Sequence, residues 1–171
     1  LQAFAHEFRQ KGFKAFVLPG DVSRPDVVER IAEQISKQFG RLDVLINNAG
    51  GQFPQRARDF KPKGWNAVIE TNLTGTWNMT QVFGNQMLDG NGGTITNVIA
   101  VIGRGFPGIA HRASARAGVL ELSKTLAGLF GPGAHIKRGE ARAEISNFRE
   151  AMHWLLEQAR KGQTIQRYKG L

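Results

Sequence analysis

The chain has 171 residues, of which 41% are hydrophobic, and a net charge of +9. That length and apolar content build one domain with a real core and exclude a disordered chain. The absence of cysteine excludes disulfides and thiolate metal sites and suits the cytoplasm, no apolar run reaches a membrane-spanning length, and no signal peptide is visible at Leu1.

Leu1, Phe4, Ala5 and Phe8 fall on one helical face, and Gly12 follows as a stop. Phe13, Ala15 and Val17 then alternate like a strand. Asp21 sits at the end of that strand, where a carboxylate caps a turn or the next helix. Pro25 suits a first helical turn; Val28, Ile31, Ile35 and Phe39 give that helix an apolar face, and Gly40 ends it.

Leu42-Asp43-Val44-Leu45-Ile46 is a short, branched apolar run between helical patterns, which reads as a buried parallel strand. It ends in Asn47-Asn48-Ala49-Gly50-Gly51. Two amides, a small residue and two glycines at a strand's carboxyl end let a ligand lie against bare backbone. They also suit an ordinary strand-to-loop turn. Residues 51–63 read as a polar, basic loop broken by Pro54 and Pro62, with Arg56 and Arg58 either solvated or beside an anion.

Trp65, Val68, Leu73, Val82, Phe83 and Met87 mark a long helix bent near Thr74-Gly75. Asn91-Gly92-Gly93 reads as a turn, and Thr94 to Ala100 as the next buried strand. Val119, Leu122, Leu126 and Leu129 form an amphipathic helix, and Gly128, Gly131, Pro132 and Gly133 a break. Beyond it, Asn147 with Glu150 resembles a capping pair for a helix whose apolar face is Phe148, Met152, Leu155, Leu156 and Ala159. Arg160, Lys161, Arg167 and Lys169 form a basic end suited to phosphates.

Asp21-Val22-Ser23 after a strand, then a helix, then NNAG, then Thr71-Asn72-Leu73-Thr74-Gly75 in a helix, is an order that resembles the short-chain dehydrogenase/reductase family over about residues 1–128. Asn47 to Phe53, Gly105-Phe106-Pro107-Gly108 and Ala115 to Val119 look most like its enoyl-CoA-reductase-like branch. The resemblance implies an α/β fold: an incomplete, Rossmann-like, doubly wound parallel sheet lacking its first strand and Gly-rich loop. Strands near Phe13, Leu42 and Thr94 would lie side by side with right-handed crossovers. An incomplete sheet would expose an apolar edge or helix face.

By the same resemblance the chain is an oxidoreductase that uses NAD or NADP. Asp21 and Val22 would meet the adenine. Asn48, Ala49 and Gly50 would line the cofactor, and Asn72 would hold a helix kink and a water of the proton relay. The family's serine, tyrosine and lysine positions hold Ala100, Arg112 and Arg116. Alanine has no hydroxyl, and arginine donates no proton near neutral pH. The usual carbonyl-reducing relay is therefore unsupported, and the expected activity is impaired or absent. Arg116 would either supply positive charge to an oxyanion or hold the nicotinamide ribose. His111 is the nearest side chain suited to proton transfer, or an incidental loop residue. An acyl-CoA is the implied substrate. Pairing of copies through the helices at 65–87 and 113–129 is the implied assembly.

The stretch from about 134 to 171, most specifically Gly162 to Leu171, resembles the bacterial DNA gyrase B subunit, at the last part of its topoisomerase domain. The expected organisation is therefore a truncated reductase domain over 1–131 and a gyrase-B-like tail over 132–171. The tail would be a helix and a short strand, not an independent domain. It lacks the acidic cluster that would hold magnesium, so no metal site is expected. The alternative to an enzyme is a non-enzymatic fusion remnant whose basic tail binds nucleic acid weakly.

Overall fold

A computed structural model describes residues 1–99, 107–129, 134–138, 141–145 and 157. The chain divides into two compact units, Leu1–Leu120 and Glu121–Leu171.

The first unit opens with α1 (Gln2–Gln10) and α2 (Pro25–Phe39). Pro25 occupies the first turn of α2, where its missing N–H costs no intrahelical bond. Gly40 ends the helix at φ 82°, a backbone region that favours glycine. Strand β1 (Val44–Asn47) follows, then a short 3₁₀ turn (Ala57–Asp59). The predicted long helix is two α-helices joined by a π turn: α3 (Pro62–Ile69), Glu70–Thr74, and α4 (Gly75–Asp89). Strand β2 (Thr94–Asn97) comes next, then α5 (Ala110–Leu129), of which the residues up to Leu120 belong to this unit.

β1 and β2 pair in parallel, Val44 opposite Thr94 through Asn47 opposite Asn97. A parallel pair needs a long crossover, and the α3–α4 rod provides it. α4 packs against both strands and against α2. Its contact with α2 and β1 forms a core of Ala32, Leu45, Phe83 and Met87, bordered by Ile31, Ile35, Met79, Val82 and Ile95. The buried amide of Asn47 also ties β1 to α4 and to β2. Asn47 Nδ2 donates to Thr80 Oγ1 at 3.0 Å and to Asn97 Oδ1 at 2.9 Å.

Several expectations need correction. The stretch Phe13–Val17 joins no sheet among the described residues. Alternation supplies a strand's faces, but a ladder also needs a neighbouring backbone to bond. Here Ala15 O instead accepts from Arg9 Nε at 2.9 Å. α1 buries only Ala5 of its predicted face; Phe4 and Phe8 stay exposed and stack on each other at 6.2 Å. β1 is covered on one face rather than two: Leu45 and Asn47 are buried, while Val44 and Ile46 remain 53% and 63% exposed.

The second unit contains an antiparallel hairpin, β3 (Ala134–Arg138) with β4 (Ala141–Ile145). The sequence reading gives the tail one short strand without a position; the structure has this two-stranded hairpin. Of the predicted tail helix only Glu157, a helical residue, is described. The rest of that helix lies outside the described residues. So does Ala100. No helix among the described residues is long and apolar enough to cross a membrane.

Candidate active site

The carboxyl end of β1 runs directly into Asn48-Ala49-Gly50-Gly51, as the sequence predicts. Asn72 approaches from the π turn. An α-helix leaves no carbonyl free in its middle, but a π turn loosens the ladder locally, so a side chain there can bond both its own helix and a neighbour. Asn72 is fully buried, and its Nδ2 donates to Val68 O at 2.8 Å and to Gly51 O at 2.9 Å. These two bonds identify the nitrogen of the amide and leave Oδ1 as a buried acceptor without a partner.

Arg116 approaches from α5. It is 5% exposed, and its Nη2 donates to Ala49 O at 3.1 Å. Its Nη1 is buried without a partner. Burial, and then the like charge of Arg112 one turn earlier, push the Arg116 guanidinium below the usual arginine range. Arg112 Nη1 donates to Gln52 Oε1 at 2.6 Å. Among the described residues neither arginine is in an ion pair.

Gly50 is where these groups converge. A Cβ there would stand 2.5 Å from Asn72 Oδ1 and would overlap Arg116 Nη2. Only a residue without a side chain lets the amide and the guanidinium close on the same backbone. The result is a cleft of about 300 Å³ lined by Asn48, Gly50, Gly51, Gln52, Asn72, Val98, Ile99, Arg112 and Arg116, none of them acidic.

Asp21 and Val22 are not among the residues lining this cleft. Asp21 Oδ1 accepts from Ser23 N at 3.0 Å and Ser23 Oγ at 2.7 Å, and those bonds, the hydroxyl's first, hold its carboxyl below the usual range. The turn is pinned to α4, because Asn78 Nδ2 donates to Val22 O at 3.0 Å and to Ser23 O at 3.1 Å. Gly75 permits that approach: a Cβ on it would meet Val22 Cγ2 at 2.6 Å.

His111 also lies apart from the cleft lining. It is fully buried against Phe53, Phe60 and Trp65, with ring centroids 4.6, 4.7 and 6.5 Å away. Its Nδ1 accepts from Arg112 N at 2.8 Å, so the proton of the neutral ring belongs on Nε2, which is buried and unpartnered. The same cluster anchors the 51–60 loop, as does the bond from Gln55 N to Gly108 O at 2.7 Å. A second cleft, about 320 Å³, is lined by residues that include Arg9, Phe13, Phe16 and Phe39 and contains none of the predicted site residues.

The sequence reading counts Asn47 among the amides facing a ligand, whereas its side chain is buried on Thr80 and Asn97, and it passes over Asn78 and Thr80. Their signal was polarity at positions that face the core, which a search for apolar periodicity passes over. It placed Arg112 at the tyrosine position without counting it in the site. Its spacing of four from Arg116 on one helix was the available clue.

The short chain dehydrogenase family model matches residues 1–134, and the chain belongs to that family. A second model, of the DNA gyrase B subunit insert domain, matches residues 117–159. The chain is 36% identical over 127 residues to the 3-oxoacyl-[acyl-carrier-protein] reductase of Staphylococcus epidermidis, covering 74% of this chain and 52% of the relative. It is 41% identical over 109 residues to a probable 2,4-dienoyl-CoA reductase of Bacillus subtilis, covering 63% and 43%. Among solved structures, a gluconate 5-dehydrogenase of Burkholderia cenocepacia in complex with NADP and tartrate matches with a TM-score of 0.69 and 30% identity, over 72% of this chain and 49% of that one. The fold is thus Rossmann-like with a small parallel sheet, and the chain spans about half the length of the relatives it matches.

Proposed function

We propose that the chain is a nicotinamide-dependent oxidoreductase domain with a partial cofactor site and impaired catalysis, directed at the double bond of an acyl thioester. The observation that carries this reading is the convergence of Asn72 and Arg116 on the bare backbone of Ala49, Gly50 and Gly51. Two buried polar atoms without partners, Asn72 Oδ1 and Arg116 Nη1, belong to residues of that cleft and suit a polar ligand. The reductase and dienoyl-CoA reductase relatives and the NADP-bound neighbour point to the same class.

The cofactor, when bound, supplies a hydride. Asn48, Ala49 and Gly50 would hold it along their backbone, and Asp21 and Val22 would border its adenine. Whether it is NAD or NADP is a matter for titration. Arg116 supplies fixed positive charge to a developing oxyanion, and Ala49 O braces it in place. Neither Arg112 nor Arg116 gives up a proton near neutral pH, so carbonyl reduction by the usual relay is not part of the proposal. His111 serves by packing the 51–60 loop rather than by moving a proton. Copies would pair through the helices at 65–87 and 113–129.

Calorimetric titration with NADPH and, separately, NADH tests the reading. The expected result is a saturable heat that Asn48→Leu abolishes. No heat with either cofactor, from a chain shown to be folded by circular dichroism, leaves a reductase-derived scaffold without the activity.

A further inference from the structure

The cleft carries more positive charge than its own residues balance. Arg112 and Arg116 stand one helical turn apart and both line it, no lining residue is acidic, and neither arginine is ion-paired among the described residues. Each is braced by a neutral acceptor, Gln52 Oε1 for Arg112 and Ala49 O for Arg116. Such braces fix direction without cancelling charge. A buried guanidinium nitrogen without a partner is costly, and Arg116 Nη1 is one. Another residue of the cleft lining carries an acceptor in the same condition. Asn72 Oδ1 is buried, and both amide hydrogens on Nδ2 are already committed to Val68 O and Gly51 O.

The two needs differ in sign. The arginines call for an oxyanion, while Asn72 Oδ1 calls for a hydrogen-bond donor. A bare carboxylate would satisfy the first and be repelled by the second. A group that carries both, an oxyanion with a hydroxyl on or next to it, satisfies all three side chains at once. We propose that the cleft between Gly50–Gln52 and the Arg112/Arg116 face of α5 binds an oxyanion bearing an adjacent O–H, as in a 2-hydroxycarboxylate or a hydrogen phosphate. Binding requires one adjustment, a turn of the Arg116 guanidinium that brings Nη1 toward the cleft. This rests on the oxidoreductase reading of the cleft but gives it an anionic ligand distinct from the acyl thioester, and its test uses no cofactor.

The test is a titration of the ¹⁵N-labelled full chain with glycolate, acetate and inorganic phosphate at constant ionic strength, following the amide signals of Gly50, Gly51 and Gln52. Glycolate, phosphate or both should shift these signals saturably, and acetate should bind about threefold or more weaker than glycolate. Saturation by glycolate alone identifies a hydroxy acid as the source, and saturation by phosphate alone a phosphoryl group. Arg112→Gln and Arg116→Gln should each weaken binding about tenfold. Arg30→Gln, an equal loss of charge at an exposed position on α2, should leave it unchanged. If Arg116→Gln fails to fold, the half-buried Arg112 still decides the outcome. The proposal is overturned by the absence of saturation with all three ions, by acetate binding as tightly as glycolate, or by an equal effect of Arg30→Gln. Failure here with intact NADPH binding removes only the anion, and failure of NADPH binding with an intact anion response removes only the cofactor.

Discussion

Gly50 and Gly51 are neighbours in one loop, yet the structure assigns them opposite sensitivities. A methyl group at Gly50 would stand 2.5 Å from Asn72 Oδ1 and would overlap Arg116 Nη2. Neither obstacle is a free side-chain end. Asn72 is held by Gly51 O and Val68 O, and Arg116 by Ala49 O. Gly50→Ala must therefore displace the guanidinium, the amide or the loop. Overpacking of this kind costs about 1–3 kcal/mol. The loss of one buried hydrogen bond adds about 1 kcal/mol. The expected destabilisation is about 2–4 kcal/mol. A Cβ at Gly51 would meet nothing within 4 Å, and its φ is not in the positive range. Gly51→Ala should change stability by less than about 0.5 kcal/mol, or raise it slightly by restricting the unfolded chain. Urea denaturation of the two variants beside the parent measures both. Equal midpoints for Gly50→Ala and Gly51→Ala would refute the argument that Gly50 is the close-approach point of the site.

The aromatic cluster predicts that His111→Phe keeps most of the parent's stability, since a ring is retained and a buried unpartnered Nε2 is removed, whereas His111→Ala loses about 3 kcal/mol. Equal losses for Phe and Ala in thermal denaturation would show that the imidazole does something other than pack. Ser23→Ala removes the hydroxyl bond that most lowers the Asp21 carboxyl, so a ¹³C carboxyl titration should show its midpoint rising toward the ordinary range. Because the folded value is depressed, the stabilisation that goes with it is present above the unfolded value and is lost as pH falls through the folded one. An unmoved midpoint would remove Ser23 as the cause.

Legibility followed the kind of signal. β1, β2, α2 and the long 62–89 helical rod were readable because apolar spacing and Pro or Gly boundaries act locally. The site loop was readable because Asn48 to Gly51 combine amides and glycines at a strand end. Phe13–Val17 misled because alternation describes a strand's faces and not its neighbours. His111 was weighed by its pKa class, while its place among Phe53, Phe60 and Trp65 depends on residues 46 to 58 positions earlier in the chain. The sequence places an irregularity near Gly75; the structure has a five-residue π turn around Asn72, which has no single-residue signature.

That turn has a consequence for how the chain can change. A π turn is an α-helix that has absorbed one surplus residue. Removing one residue between Glu70 and Thr74 would let the ladder close as an ordinary helix while α3 and α4 each keep their faces. A deletion elsewhere in α4 would rotate Phe83 and Met87 out of the core. The segment that builds the pocket is thus also where the helix best tolerates shortening. Deleting Asn72 itself would keep that helical scaffold while removing the amide that holds Gly51 O.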